Sequence, residues 1–318
     1  MHHHSHHHGT ANVLKWSFFA TILFVVVEAA AGFRSGSLAL VSDAGHNFTD
    51  ALALVLAAIG LYMQSKPADS VKTFGYHRAG VLTAFVNALT LVGIAVFIFY
   101  EAWQRFAHPR HIEEWTMFWV AVAALVLNAG ILWGLHRDKD RDLNIRAAFV
   151  HMLGDAVSSV GIIAGAVAIH FTGLAIIDPA LSVLIGILIV WTAWDIIQES
   201  LNVLLEGLPR GMELNEVTES MRQLDGVIDV HDLHIWSLGS SAHALSCHVL
   251  IEDMPPSESN AILQRINDVL CKYEINHTTI QFEHTKCALS DVPCNILVTA
   301  PHEHQHHGHE HQRAVSKL

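Results

Sequence analysis

The chain has 318 residues, of which 52% are hydrophobic and only 15% charged. Its mean hydropathy is positive, and the apolar residues gather in runs too long for a water-soluble protein, which excludes an ordinary soluble domain. The formal charge of −12 counts all 25 histidines as neutral; twelve of them lie in the two tails, so the number says little about partners, and no nucleic-acid partner is expected.

Residues 1–12 open with MHHHSHHHG, a histidine-rich tail too polar to fold alone, which reads either as native or as an added tag. Six mainly apolar segments follow, near 13–33, 38–63, 79–103, 115–136, 147–171 and 174–197. Each is long enough to span roughly 30 Å of hydrocarbon as a helix. Basic residues collect in the loops after the second span (Lys66, Lys72, Arg78) and the fourth (Arg137, Lys139, Arg141, Arg146). The positive-inside rule then places both termini in the cytoplasm.

The second span carries Asp43, His46, Asn47 and Asp50 at i, i+3, i+4 and i+7, so all four share one helix face. The fifth repeats the device, with His151, Asp155, Ser158 and Ser159 on one stripe. A carboxylate at mid-membrane costs roughly 2.5–3.5 kcal/mol on insertion scales, so these groups need a reason. Each helix offers His-x-x-x-Asp, two groups one turn apart. Two imidazoles and two carboxylates make the four ligands of a tetrahedral Zn²⁺, and their charges cancel the ion's. Polar residues also act as glue between membrane helices, but glue needs neither two buried carboxylates nor the same spacing on two helices. Gly161 and Gly165 form a G-x₃-G on the fifth span; small residues allow close helix approach, here expected to bring His151 and Asp155 against the second helix.

Beyond residue 207 the spans stop. ELNEVTESMRQL at 213–224 reads as a helix, VIDVHDLHIWSL and AHALSCHVLIED as two strands joined by a Gly-Ser-Ser loop at 239–241, 257–274 as a second helix and HTTIQFE as a last strand. This αββαβ order predicts a small open-faced sandwich of ferredoxin-like or metallochaperone-like form. Four cysteines, Cys247, Cys271, Cys287 and Cys294, all fall after the spans; in a cytosolic domain they read as thiols or metal ligands, not disulfides. The expected organisation is thus a tail at 1–12, a six-helix α-helical membrane domain at 13–207, a cytosolic α+β domain at 208–290 and a second histidine-rich tail at 291–318.

GSLALVSDAGHNFTDALAL, KTFGYHRAGVLTAFVNA, LNIRAAFVHMLGDAVSSVG, SLNVLLEG, VHDLHIWSL and HTTIQFE, in that order, resemble the cation diffusion facilitator family, and its zinc-transporting bacterial members in particular, from about residue 14 to 284. The resemblance implies a homodimeric, proton-coupled antiporter, not an enzyme, that exports divalent metal across a bacterial inner membrane. It implies that His46, Asp50, His151 and Asp155 form the transport site, and that the cytosolic sandwich binds metal and dimerises. His231, His248 and Glu283 match metal-binding positions of relatives. His234 and Cys247 are expected one sheet face away from His231 and His248; His234 stays a candidate ligand, and Cys287 and Cys294 resemble a terminal cysteine pair of some relatives. Arg78 and Glu206 match a charged pair near the membrane–cytosol hinge, a role that Lys72 or Arg210 could fill equally well. Lys72 and Tyr76 stand where some members have histidines, so Asp69 and His77 are expected to be loop residues only.

The expected cargo is Zn²⁺, with Cd²⁺, Co²⁺ and Ni²⁺ left open, exchanged for protons by alternating access across the bilayer; Zn²⁺ is also expected as a structural or regulatory ion of the cytosolic domain. Metal needs deprotonated ligands, so protons and zinc compete for the same lone pairs. Two other readings bury metal ligands as well. An intramembrane zinc hydrolase keeps an open coordination position and a nearby base, for which Glu28 on the first span is the sole candidate. A membrane-anchored metal sensor would not explain a site at mid-membrane.

Overall fold

A computed structural model of the chain describes residues 7–136, 143–239 and 242–285. The basic loop residues Arg137, Lys139 and Arg141, and residues 286–318 with Cys287 and Cys294, lie outside the described residues, as do residues 1–6 and the Arg146 side chain.

Six long helices come first: α1 (His7–Ser35), α2 (Leu38–Gln64), α3 (Ala79–Ala107), α4 (Glu114–His136), α5 (Leu143–Thr172) and α6 (Ile177–Leu204). Among the described residues, α2 to α6 each hold a stretch long and apolar enough to cross a membrane, and α1 runs alongside α2. Their outward faces carry large exposed apolar side chains, among them Trp103, Trp133, Phe171 and Trp191, which suits lipid and not water. This is an integral membrane protein.

Small residues let the helices close on each other. Ala88 and Ala95 of α3 meet Ile189 and Ala193 of α6, and the Phe99 ring lies over Gly186. Met117 and Ala121 of α4 pack with Ile162, Ala166 and Ile169 of α5 and with Ala39 and Leu40 at the start of α2. Gly165 instead abuts Ile177 and Leu181 of α6, and Gly161 has open space beside it. The G-x₃-G motif therefore serves the α5–α6 contact, and not the approach of α5 to α2 expected from sequence. Periodicity assigns both glycines to one stripe but cannot say which neighbour that stripe meets.

One buried carboxylate fixes the N-terminal end of α2. Ser37, the N-cap, donates to Asp178 Oδ1 at 2.6 Å, while the Leu38 and Ala39 amides donate to Oδ2 at 2.7 Å and Oδ1 at 3.1 Å. These are amides that a helix start leaves without internal partners, and a negative charge there also suits the helix dipole. Arg105 of α3 closes the cluster, 3.3 Å from Asp178 and donating to the Gly36 carbonyl. Gly36 has φ +73°, and a Cβ there would meet the His111 carbonyl, so the turn into α2 requires glycine.

The remainder is α7 (Leu214–Arg222), β1 (Asp229–Ser237), β2 (His243–Leu250), α8 (Pro256–Leu270) and β3 (Ile275–Glu283), with a short 3₁₀ turn at Cys271–Tyr273. The order is the αββαβ read from sequence. β2 is central, antiparallel to β1 and parallel to β3; α8 makes the crossover that a parallel pair requires. Val217 and Met221 of α7 and Ile262, Ile266 and Leu270 of α8 share one core with Val230, Ile235, Leu245, Val249 and Ile275. Both helices thus cover a single sheet face. Cys247 sits in that core, where burial pushes its thiol up to about 12; among the described residues it and Cys271 are free thiols.

Candidate metal centres

The helical periods of α2 and α5 bring His46, Asp50, His151 and Asp155 to one point, with one ligand atom of each within 4.8 Å of the others. Asp50 Oδ2 lies 3.6 Å from His46 Nε2 and 3.2 Å from His151 Nε2. Asp155 stands 3.6 Å from His46 and 3.8 Å from His151. Ligands at 2.0–2.2 Å on a tetrahedron are about 3.3–3.6 Å apart, so a zinc-sized ion fits with shifts of a few tenths of an ångström. Asp50 Oδ2, Asp155 Oδ2 and His46 Nδ1 are buried without hydrogen-bonded partners. The two carboxylates face the Nε2 atoms of both histidines around one centre, while His46 Nδ1 points elsewhere.

Neighbouring polar groups brace the site. Ser158 Oγ of α5 donates to Asp43 of α2 at 2.7 Å, which ties together the two ligand-bearing helices. Asn47 reaches across to Glu28 of α1 at 3.4 Å. Ser159 returns to its own helix, donating to the Asp155 carbonyl. Exposure differs along the site: the Asp155 side chain is 4% exposed and His151, one turn nearer the start of α5, is 40%.

A second cluster lies on the sheet. His231 and His248 are cross-strand partners, with ring centroids 5.4 Å apart, and Glu283 at the end of β3 meets both. Its carboxylate is 3.2 Å from His231 Nε2 and 2.9 Å from His248 Nδ1. Both His231 ring nitrogens and Glu283 Oε2 are buried without hydrogen bonds, a donor set that suits a borderline cation such as zinc.

β1 departs from simple alternation between His231 and His234, where the register shifts and Asp232 adopts φ +50°. Val230 and Ile235 both face the core although they lie an odd five positions apart, because the bulge adds a residue to the strand. His234 therefore lies on the same face as His231, not the opposite one expected from sequence. It contacts Asp232 at 3.2 Å, whose other oxygen is 3.9 Å from His248. Asp232 escaped the sequence reading, since nothing in a strand pattern marks a bulge. Cys247 faces the core, away from these histidines, as expected.

Arg78 and Glu206 do meet, at 3.1 Å, between the start of α3 and the end of α6, while Arg210 pairs with Glu199. The pair is largely exposed, where such bridges contribute little to stability. Asp69 organises its own loop: the Lys72 and Val71 amides and the Tyr76 hydroxyl all donate to it and hold its carboxyl below the usual range. It is a loop residue, as read. His77 lies against Gly239 and Phe74 against His277 at 5.2 Å, so this loop rests on the sheet domain.

The model of the cation efflux transmembrane domain matches residues 14–205, and that of the cation efflux protein cytoplasmic domain matches 209–285. The chain is similar to the metal cation efflux system protein CzcD of Cupriavidus metallidurans, 40% identical over 291 residues that cover 91% of this chain and 92% of that protein. It is similar to the zinc transporter ZitB of Escherichia coli, 39% identical over 315 residues, 96% of this chain and 99% of that one. It also resembles the cadmium, cobalt and zinc/H(+)-K(+) antiporter of Bacillus velezensis, 36% identical over 312 residues, again 96% and 99%. With both parts matched in order, and with such relatives along nearly their whole lengths, the chain belongs to the cation efflux family, the cation diffusion facilitators.

Proposed function

We propose that this protein is a proton-coupled antiporter that exports Zn²⁺ from the cytosol across a bacterial inner membrane, with both termini cytoplasmic. The observation that carries the reading is the tetrad of His46, Asp50, His151 and Asp155, four converging donors at tetrahedral spacing in membrane-spanning helices. A bound zinc with two carboxylates and two neutral imidazoles has no net charge. When zinc leaves, two protons on the imidazoles restore the same neutrality, so exchange spares the site a buried charge in either state. The more exposed ligand on each helix, Asp50 and His151, is the one nearer the proposed cytosolic end, and supports a site open to the inside. Rocking of helices about the ion would then open it outward.

The relatives support the cargo class: their names include zinc, cadmium and cobalt. Residues 13–207 would form the transport domain, and 208–290 a cytosolic domain that dimerises and binds a structural or regulatory Zn²⁺ through His231, His248 and Glu283, with His234 as a further donor. Cys287 and Cys294 would add donors to the same domain. Arg78 and Glu206 would tether it at the hinge. A hydrolase needs an open coordination position that four converging ligands do not leave, and a sensor does not require the tetrad. The test is zinc flux in vesicles reconstituted with the full chain. Flux should follow an imposed pH gradient and vanish in Asp50→Ala; flux indifferent to the gradient, or retained in that variant, overturns the reading.

A further inference from the structure

The distances around the tetrad are of two kinds. His46–Asp50 and His151–Asp155, at 3.6 and 3.8 Å, are edges within one helix, set by a single helical turn. His46–Asp155 and His151–Asp50, at 3.6 and 3.2 Å, run between α2 and α5, so they follow the separation of the two helices. A tetrahedral edge is about 1.63 times the metal–ligand bond, so bonds longer by about 0.2 Å, as for Cd²⁺, need edges longer by about 0.3 Å. The 3.2 Å edge is the tightest, and it lengthens most directly when α2 and α5 part.

The links that hold this separation form a ladder along the two helices. Near the start of α2, Ala39 and Leu40 pack with Ile162 and Ala166 of α5. One turn on, Ser158 Oγ donates to Asp43 Oδ1 at 2.7 Å. His46 with Asp155 follows, and then Asp50 with His151. Ser158 uses its hydroxyl across the gap, whereas the adjacent Ser159 bonds the Asp155 carbonyl of its own helix. Asp43 is 1% exposed, so little water reaches the carboxylate to compete. Around α5 the packing is loose at this level. A Cβ on Gly154 or Gly161 would meet nothing within 4 Å. A cavity of about 500 Å³ lies between α5 and α6, lined by Val150, Gly154, Val157, Ser158, Leu184 and Leu188. α5 therefore has room to move, and among the described residues the Ser158–Asp43 bond is the last polar link between α5 and α2 before the ligands.

We propose that Ser158 and Asp43 are positioning residues for metal choice: their hydrogen bond straps α5 to α2 and holds the cross-helix edges at the spacing of a small tetrahedral cation. Neither residue touches the ion. A larger cation has to stretch the strap to bring all four ligands into reach, and zinc does not. Without the strap the helices part about the packed contact at Ala39 and Leu40, the 3.2 Å edge relaxes, and the bias against the larger ion weakens. The inference rests on the tetrad as the cargo site, and its test tells the failure of one from the failure of the other.

The full chain is purified in detergent with His231→Ala and His248→Ala to silence the sheet cluster, and Zn²⁺ and Cd²⁺ are titrated in competition by calorimetry. The tetrad's share of binding is the part that Asp50→Ala removes. In Ser158→Ala the ratio of Cd²⁺ to Zn²⁺ affinity should rise about fivefold, equivalent to about 1 kcal/mol, the strength of one hydrogen bond between membrane helices. Zinc affinity itself should fall by about threefold or less. Ser158→Thr keeps a hydroxyl and Asp43→Asn a carbonyl acceptor, so both should stay within about twofold of the parent ratio. A ratio unmoved in Ser158→Ala overturns the strap, as does an equal loss of both affinities, the mark of a merely structural role. A shift in Asp43→Asn as large as in Ser158→Ala assigns the effect to charge and overturns it too. If Asp50→Ala removes no binding, the tetrad fails and the strap with it. Should Ser158→Ala fail to fold, Ser158→Cys, of similar size and only a weak donor, is read in its place, with the same rise expected.

Discussion

Asp155→Asn separates a ligand from a packing residue, because it keeps the shape of the side chain and removes only its charge. Asp155 stands 3.6 and 3.8 Å from the two imidazole nitrogens and supplies half of the negative charge that would face a bound ion. Groups that merely hydrogen-bond to metal ligands cost 10–100-fold in affinity when removed, so loss of a ligand should cost about 100-fold or more. At free zinc 100 times the parent Kd, binding stabilises the parent by about 2.7 kcal/mol. A Kd raised 100-fold leaves about 0.4 kcal/mol. The difference of about 2.3 kcal/mol corresponds to a zinc-dependent rise in Tm smaller by about 5–9 °C. The assay is zinc titration and thermal unfolding in detergent, with His231→Ala and His248→Ala in both proteins to silence the sheet cluster. Without metal the variant should be at least as stable as the parent, since it loses a buried charge whose Oδ2 has no donor. Zinc affinity within about threefold of the parent, or a metal-free variant that is plainly less stable, would mean that Asp155 is structural.

Asp178→Ala should leave three donors at the start of α2 without their acceptor and the Arg105 guanidinium buried without its carboxylate, a loss of about 3–5 kcal/mol; thermal unfolding checks it, with Asp178→Asn expected to lose less. Glu283→Gln should abolish the zinc-dependent stabilisation of the sheet domain, because both histidines converge on that carboxylate. Calorimetry with and without a chelator reads this out, and an unchanged zinc effect would remove Glu283 from the ligand set.

The membrane site was legible because its signal is periodic. His46 and Asp50, like His151 and Asp155, lie one helical turn apart, and any α-helix puts such pairs on one face. The αββαβ order was legible for the same reason, since alternation and helical spacing are local. What escaped depends on which faces meet. Glu28 could be counted from sequence, but its contact with Asn47 is set by how α1 lies on α2. Asp178 and Arg105 are 73 residues apart, and no local pattern announces that they share the cap of a third helix. Gly165 shows the converse, a local motif with a correct face and the wrong neighbour. The bulge at Asp232 shifts His234 across the sheet by one inserted residue, which a strict period of two cannot foresee.

The cap at Asp178 also sets a lever. α2 is clamped at Leu38 and Ala39, while its far end finishes in the loop that rests on the sheet domain. Asp50 lies twelve residues beyond Leu38, about 18 Å along the axis. A tilt of about 5° about the clamped end carries Asp50 sideways by roughly 1.6 Å, most of a zinc–oxygen bond length. Rotation too small to disturb the helix packing would therefore be enough to take one ligand off a bound ion; Gln64 lies 26 residues from Leu38, about 39 Å along the axis, so a displacement at that end of α2 would reach Asp50 reduced to about half, with the force correspondingly increased.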